Sequence, residues 1–346
     1  MTTGYNYTTG LLAIIACFDW LKFRDILYSY WGGVDLKKDL LSVSGLTGEE
    51  IRLLISNACD LKAKGRLSLL QGKVLAIMFE KPSLRTRVSF ELAMIELGGD
   101  TIYLSPAEVG LGKREPISDV ARVLSRYVDA VVTRVFSHQS LEVLAAYSSV
   151  PVINALSDLE HPCQTLADLL TIYEEKGQLE GITLAFIGDG NNVANSLLLG
   201  GSLTGMNFRI ASPTGYQIQD SIMKQAEAYA LDSGSEIFTT EDPKSAVVGA
   251  DVIYTDTWTS MGQEDEAEKR RSIFADYQVN DELMSLARGD AIIMHPLPAH
   301  HGEEVAEGIL DGLSSVVFDQ AENRMHLQKA LLAYMLGGTE ISAGYR

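Results

Sequence analysis

Basic residues are scarce in this sequence of 346 residues. It has 28 Lys and Arg against 46 Asp and Glu, which gives a formal net charge of −18 at pH 7. Such a chain repels phosphate backbones and anionic lipid headgroups, so we expect no nucleic-acid partner and no membrane partner. Small anionic substrates are compatible with this balance, because a local basic pocket can form beneath an acidic surface.

Cysteine is also rare. Cys17, Cys59 and Cys163 are odd in number and far apart. This spacing provides no disulfide framework and fits a reducing compartment, so a cytoplasmic location is expected.

Long apolar runs are missing near the start of the chain. The run 11–18 is shorter than the ~20 residues that span a bilayer. No Lys or Arg precedes it, so neither a signal peptide nor an Arg-rich presequence is indicated. We interpret residues 1–34 as an extension, either disordered or the result of a mis-assigned start, before a domain that begins at Asp35.

From Lys73 onward, short apolar runs alternate with helical patterns, which indicates parallel sheets built from βαβ units. The predicted strands are Val74–Phe79, Ala130–Val135, Val152–Ile153, Thr183–Ile187, Phe208–Ala211, Val252–Thr255 and Ala291–Met294. A polar stretch at 174–181 separates two domains. The predicted fold is α/β, with two doubly wound parallel-sheet domains joined by interdomain helices. The predicted boundaries are 35–174, 175–320 and a C-terminal helix, 321–346, that packs back on the first domain.

The first segment with chemical character is 79–87, Phe-Glu-Lys-Pro-Ser-Leu-Arg-Thr-Arg, where a strand ends and a helix begins. A helix start offers free backbone N–H groups and a partial positive charge. Ser83 and Thr86 add hydroxyl groups and Arg85 adds a guanidinium, so the segment can bind a phosphate. The alternative is a simple capped helix with Ser83 as its N-cap and solvated arginines.

A second segment, 161–164, runs His-Pro-Cys-Gln before a helical pattern. His161 can donate a hydrogen bond to an oxygen, and Gln164 can both donate and accept. A lone histidine is more often structural than catalytic. No matched base accompanies Cys163, which we interpret as a small packing residue.

The third segment, 187–192, runs Ile-Gly-Asp-Gly-Asn-Asn between a strand and a helix. It matches half of a dinucleotide-binding fingerprint. Val193 occupies the place of the third glycine, and Ser212 ends the next strand where an acidic residue would bind the ribose. We therefore reject NAD binding. The amides of Asn191 and Asn192 instead suit the carboxylate and amine of an amino acid.

A fourth segment, 256–262, runs Asp-Thr-Trp-Thr-Ser-Met-Gly at a strand end. Asp256 can hold an ammonium group, and Ser260 with Gly262 suits a loop that closes on a substrate. The charged run 263–271 is interpreted as a solvated helix.

Two further pieces lie near the C-terminus. The segment 295–298, His-Pro-Leu-Pro, follows the last predicted strand, and a cis peptide before Pro298 would direct the Leu297 carbonyl into a cleft. Arg324, which we expect near the start of the last helix, supplies one more cation.

Together these segments resemble the transcarbamylase family. Ser-x-Arg-Thr, His-Pro-x-Gln, Asp-x-Trp-x-Ser-Met-Gly and His-x-Leu-Pro occur in the family's order, and the match extends from about Asp35 to about Gly337. The Ser-Met-Gly loop is typical of the ornithine branch. The resemblance implies carbamoyl transfer from carbamoyl phosphate to the side-chain amine of L-ornithine, without a metal or cofactor. It also implies a homotrimer whose active sites lie near subunit interfaces.

The resemblance assigns functional residues to the matching positions. Carbamoyl phosphate would be bound by Ser83, Leu84, Arg85, Thr86, Arg134, His161, Gln164, Leu297 and Arg324. The catalytic residues would be Arg134, His161 and Thr86, which polarise the carbonyl group, and Gln164, which orients the carbamoyl nitrogen. Ornithine would be bound by Asn192, with Asn191 as the alternative, and by Asp256, Ser260 and Met261.

Two positions depart from the family pattern. Pro296 stands where the ornithine branch has a cysteine near the reacting amine, and Gly110 stands where the family has a glutamine. Pro296 leaves open a different acceptor, such as putrescine, lysine, aspartate or an acylated ornithine. A catalytically silent homologue and a generic two-domain α/β binding protein are further alternatives. The complete set of phosphate and carbonyl ligands argues against the former, and the co-occurrence of four boxes argues against the latter.

Overall fold

The computed structural model describes residues 39–259 and 264–337, which contain two parallel sheets. The first sheet has the strand order β2-β1-β3-β4, and its strands are β1 (Val74–Phe79), β2 (Asp100–Leu104), β3 (Ala130–Arg134) and β4 (Val152–Leu156). The second has the order β7-β6-β5-β8-β9, and its strands are β5 (Thr183–Ile187), β6 (Asn207–Ala211), β7 (Ile237–Thr240), β8 (Val252–Thr255) and β9 (Ile292–Met294). Neighbouring strands in both sheets are parallel.

Helices lie between successive strands, as parallel pairing requires, and one further helix lies before β1 and another after β9. They are α1 (Gly48–Lys64), α2 (Leu84–Glu96), α3 (Pro106–Val109), α4 (Ile117–Leu124), α5 (His138–Tyr147), α6 (Pro162–Lys176), α7 (Asn192–Thr204), α8 (Asp220–Ser233), α9 (Pro243–Val247), α10 (Ala267–Phe274), α11 (Asp281–Leu286) and α12 (Val317–Leu336). The predicted fold class, two doubly wound parallel-sheet domains joined by interdomain helices, is confirmed.

Two helices connect the domains. Helix α6 begins at Pro162 and is capped at its C-terminus by Gly177, whose φ of +76° favours glycine. It packs on α7 of the second domain, whereas α12 runs back and packs on α1, α2 and α6. Side chains of β1 and β5 therefore share one continuous buried cluster with both helices. This shared core fixes the two sheets relative to each other.

The sequence pattern missed two strands, β2 and β7, which lie at sheet edges. Half-exposed edge strands lack the continuous apolar run that marks a central parallel strand such as β3, which is buried along its whole length. The predicted extension 1–34 lies outside the described residues. Within the ranges given above, no helix is both long and apolar enough to cross a membrane.

Candidate active site

The start of helix α2 carries the first group of predicted residues. Ser83 is the N-cap: its Oγ accepts from the Thr86 N–H at 3.4 Å and donates to Thr86 Oγ1 at 2.9 Å. The capped-helix interpretation is therefore correct for Ser83, and it leaves the first backbone N–H groups of the helix available to an anion. Leu84 is exposed, and Arg85 is half-buried beside the cap.

Three arginines share this region. Arg134 ends β3 and Arg324 lies on α12. After burial, the charges of Arg324 and Arg85 lower the pKa of Arg134, and the charge of Arg85 lowers that of Arg324. Burial comes first among the causes that bring the pKa of both Arg134 and Arg324 from 12.5 to about 10. Within the described chain, none of the three forms an ion pair with a carboxylate. Buried positive charge without a counter-ion marks a site for an anion.

Arg324 also completes the α2 cap from the other end of the chain. Its Nη2 donates to Thr86 Oγ1 at 2.6 Å, and both side chains are buried. Helix α12 begins at Val317, so Arg324 lies in its interior and not near its start as the sequence suggested. The Nε atoms of Arg134 and Arg324 are buried without a partner in the described residues.

His161 and Gln164 lie at the start of α6, and both are buried. Burial, followed by the charges of Arg324 and Arg134, holds the pKa of His161 well below its usual range, so the imidazole is neutral. Its Nδ1 has no partner among the described residues, and neither has Gln164 Oε1. Each of these atoms is therefore available to a small polar ligand.

The turn after β9 presents Leu297. The Leu297–Pro298 peptide is cis, as predicted, and Leu297 has a φ of +53°. The Leu297 N–H donates to His295 Nδ1 at 2.9 Å, and His295 Nε2 lies 3.2 Å from Glu304 Oε1. Because Nδ1 accepts, the proton of a neutral His295 is on Nε2, where it donates to Glu304.

Asp256 follows β8 and is the acidic member of the site. Its carboxylate accepts from the Thr257 N–H and from Asn191 Nδ2, both at 2.8 Å. Burial raises its pKa, and His295 and Asn191 oppose that rise. Asp256 in turn raises the pKa of Arg134, so the acidic residue of the second domain and the basic cluster of the first lie within electrostatic reach.

The two asparagines of the third segment have different partners. Asn191 contacts Asp256 and also caps α7 through Oδ1, whereas Asn192 Nδ2 donates to the Ser157 carbonyl at 2.7 Å. Asn191, the alternative, is thus tied to the acid, and Asn192 faces the segment that leads to His161. Ser260 and Met261 lie outside the described residues.

The predicted exposure of Arg270 to solvent is wrong. The residue was assigned to a solvated helix, yet its side chain is 3% exposed. Its guanidinium contacts Asp189 Oδ2 and the Trp258 carbonyl and stacks over Tyr216. It therefore links the third and fourth segments at the base of the predicted closing loop. A single arginine in a charged run gives no sequence signal of such burial.

One other cluster of potential metal ligands lies in the part of the chain that the structure describes. His300, Glu303 and Glu304 bring candidate metal-ligand atoms within 4.8 Å of one another. Glu303 accepts from Arg271 Nε at 2.8 Å and Glu304 from the His300 N–H at 2.6 Å, so local contacts account for this cluster. Burial raises the pKa of the Cys163 thiol to about 12, in agreement with a packing role.

Known protein families match both domains of this chain. The family model described as aspartate/ornithine carbamoyltransferase, carbamoyl-P binding domain, matches residues 38–174, and the Asp/Orn binding domain of the same description matches residues 180–335. An ornithine carbamoyltransferase of Anoxybacillus flavithermus is 51% identical over 86% of this chain and 96% of its own length. An anabolic ornithine carbamoyltransferase of Pyrococcus furiosus is 50% identical over 87% of this chain and 97% of its own.

Solved structures of ornithine carbamoyltransferases are similar to this chain over most of its length. The ornithine carbamoyltransferase from Pyrococcus furiosus has a TM-score of 0.85 at 50% identity, covering 87% of this chain and 97% of that one. The anabolic enzyme from Campylobacter jejuni has a TM-score of 0.83 at 42% identity, covering 86% and 99%.

Proposed function

Because the chain belongs to the aspartate/ornithine carbamoyltransferase family, we propose that it transfers the carbamoyl group of carbamoyl phosphate to the side-chain amine of L-ornithine, which yields citrulline and phosphate. The anabolic relative supports a role in arginine biosynthesis. One observation carries the proposal: three arginines that have no carboxylate partner among the described residues converge on a capped helix start, beside a neutral His161 and a Gln164 Oε1 that is unpaired in the same part of the chain.

The phosphate group binds at the start of α2. Ser83, the backbone N–H groups that follow it, Arg85, Thr86 and Arg324 donate hydrogen bonds to its oxygens. Charge-assisted bonds of this kind are about twice as strong as neutral ones. The phosphate also supplies the counter-charge that Arg134 and Arg324 lack in the described residues.

The carbamoyl carbonyl lies toward Arg134, His161 and Thr86. Donors fixed around the carbonyl oxygen stabilise the negative charge that develops on it as the amine attacks. A neutral His161 suits this role, because one ring nitrogen donates without adding a third buried charge. Gln164 Oε1 and the Leu297 carbonyl accept from the carbamoyl nitrogen. The C–O bond to phosphate then breaks, and the phosphate leaves as an anion.

The acceptor amine lies toward Asp256. Ornithine's carboxylate and α-amine are bound by Asn192, Ser260 and Met261, while Asp256 faces the side-chain amine. An alkyl ammonium has a pKa of about 10, and it must lose a proton before it can attack. The rate is therefore expected to rise with pH through the neutral range.

Assembly and location complete the proposal. Leu84, Val88, Leu92 and Ile95 form an exposed apolar stripe along α2. This stripe starts at the phosphate cradle, which supports a homotrimer with active sites near the subunit interfaces. We place the protein in the cytoplasm and keep the domain boundaries 35–174, 175–320 and 321–346. Light scattering on wild type and Leu92→Glu tests the interface, and the variant is expected to be monomeric.

A direct assay tests the activity. Purified protein is incubated with carbamoyl phosphate and one amine at a time, and the ureido product is measured colorimetrically. Ornithine is expected to give product, and reactions without enzyme or with Gln164→Met provide the baselines. Absence of product with every amine would contradict carbamoyl transfer.

Pro296 favours one alternative, a different acceptor amine, because proline has no side-chain donor and no backbone N–H. The panel therefore includes putrescine, lysine, aspartate and an N-acylated ornithine. A preference for one of these over ornithine would replace the acceptor and leave the carbamoyl phosphate site as proposed.

A further inference from the structure

We propose that Asp168 is a positioning residue that fixes both acceptors for the carbamoyl nitrogen, Gln164 Oε1 and the Leu297 carbonyl. This inference rests on the proposed function and goes one step beyond it. Asp168 is fully buried on α6, one turn after Gln164, and carries none of the roles assigned above.

The first branch from Asp168 reaches Gln164 directly. Asp168 Oδ1 accepts from Gln164 Nε2 at 2.8 Å. An ionised carboxylate only accepts hydrogen bonds, so the amide must turn its Nε2 end toward Asp168. Gln164 Oε1 is then left as the free end, and it has no partner in the described residues. Asp168 thereby orients the Gln164 amide so that its oxygen, a hydrogen-bond acceptor, faces the ligand.

The second branch reaches Leu297 through two intermediates. Gln320 Nε2 donates to the same Asp168 Oδ1 at 2.8 Å, which leaves Gln320 Oε1 to accept from the His295 N–H at 2.9 Å. His295 Nδ1 then accepts from the Leu297 N–H at 2.9 Å. The orientation of the Gln320 amide thus follows from the carboxylate, and Gln320 in turn holds the backbone of His295, whose ring receives the Leu297 N–H.

A third bond ties the same carboxylate to the second sheet. Tyr254, on β8, donates from its hydroxyl to Asp168 Oδ2 at 2.9 Å. Asp256 follows Tyr254 by two residues in the chain. The Asp168 carboxylate, on an interdomain helix, thus fixes the position of Gln164 relative to β8, the strand that leads to Asp256.

The test compares two phosphonates that differ at one group. Phosphonoacetamide carries the amide nitrogen of carbamoyl phosphate, and acetonylphosphonate has a methyl group in its place. Their dissociation constants are measured by calorimetry at pH 7.5, and their ratio isolates recognition of the nitrogen from recognition of the phosphonate. We expect Asp168→Ala to weaken phosphonoacetamide by about tenfold, the value of one or two lost hydrogen bonds, and acetonylphosphonate by less than about twofold.

Two variants on the same helices serve as comparisons. Asp168→Asn keeps one oxygen for both glutamines and should restore most of the discrimination. Thr171→Val removes the hydroxyl that accepts from Asn323 Nδ2 at 3.0 Å, so it loosens the α6–α12 contact without touching Gln164. It should lower the melting temperature but leave the ratio of dissociation constants unchanged.

The outcomes separate the inference from the proposed function. If wild type binds neither phosphonate, the proposed function fails. If wild type prefers the amide and Asp168→Ala weakens both phosphonates equally, the function stands and Asp168 is structural only. If Asp168→Ala does not fold, Gln320→Met removes the Leu297 branch alone, and an unchanged ratio in that variant overturns the inference.

Discussion

Replacing Arg324 by methionine should stabilise the protein in the absence of phosphate and reduce its stabilisation by phosphate. The reason lies in the charge of the site. Arg324 is buried beside Arg85 and Arg134, and its pKa falls to about 10, with burial as the largest cause. The empty site therefore works against the folded state, and methionine removes that charge while filling similar volume.

The expected magnitude follows from the pKa and from one hydrogen bond. A fall from 12.5 to about 10 corresponds to roughly 3 kcal/mol of unfavourable free energy for the charged form. The variant also loses the 2.6 Å bond to Thr86, a charge-assisted contact of about 1.5–3 kcal/mol. The net gain in the free energy of unfolding is about 1 kcal/mol, or a rise of about 1–2 °C in Tm for a chain of 346 residues.

Phosphate reverses the order of the two proteins. At a concentration of 100 Kd it should stabilise wild type by about 2.7 kcal/mol, or about 3–5 °C. Loss of one charge-assisted contact raises Kd about 30-fold, so the same concentration should stabilise Arg324→Met by only about 1 kcal/mol. Differential scanning calorimetry with and without phosphate measures both effects.

Arg122→Met is the matched control, because Arg122 is exposed, pairs with Asp119 on its own helix and lies over the Tyr147 ring, away from the anion site. Neither its free energy of unfolding nor its stabilisation by phosphate should change by more than about 0.5 kcal/mol. If Arg324→Met is less stable than wild type without phosphate and gains as much from phosphate, the assignment of an anion site to this cluster is refuted.

Three further predictions concern binding and pH. Arg85→Ala should weaken carbamoyl phosphate by about 1.5–3 kcal/mol, and an unchanged calorimetric affinity would remove Arg85 from the site. Pro296→Cys should tighten ornithine by about 0.5–1.5 kcal/mol, measured as a lower KM, because the thiol restores a polar partner beside the amine. Burial raises the pKa of Asp168 to about 6. The folded state should therefore gain stability as pH falls from about 6 toward 4, and Asp168→Asn should lack that gain in urea titrations. The groups that face this carboxyl are Gln164, Gln320, Tyr254 and Arg324.

Much of the fold was readable from local pattern. Central parallel strands are buried on both faces, so β1, β5 and β8 appear as continuous apolar runs and were predicted with the observed bounds. Ser83 as a helix cap and the cis peptide at Leu297–Pro298 were likewise local features. The family was identifiable because four short boxes lie in a fixed order along the chain.

What the sequence could not provide was the set of partners that form only after folding. Asp168 looks like an ordinary polar residue in an amphipathic helix, and its partner Gln320 is 152 positions away. Arg270 looked solvated because neighbouring charges surround it, whereas its contact with Asp189 spans 81 positions. Periodicity reports which face of an element is apolar, and it carries no information about which distant polar groups meet.

The return of helix α12 to the first domain has a consequence for synthesis on the ribosome. Thr86 and its helix are made early, whereas Arg324 is made 238 residues later. A chain that ends before residue 317 contains both sheets and lacks the cation that bonds to Thr86. The phosphate site therefore cannot be completed before α12 has been synthesised. Ligand binding accordingly reports a chain whose last described helix has packed against α1, α2 and α6 and has brought Arg324 to Thr86.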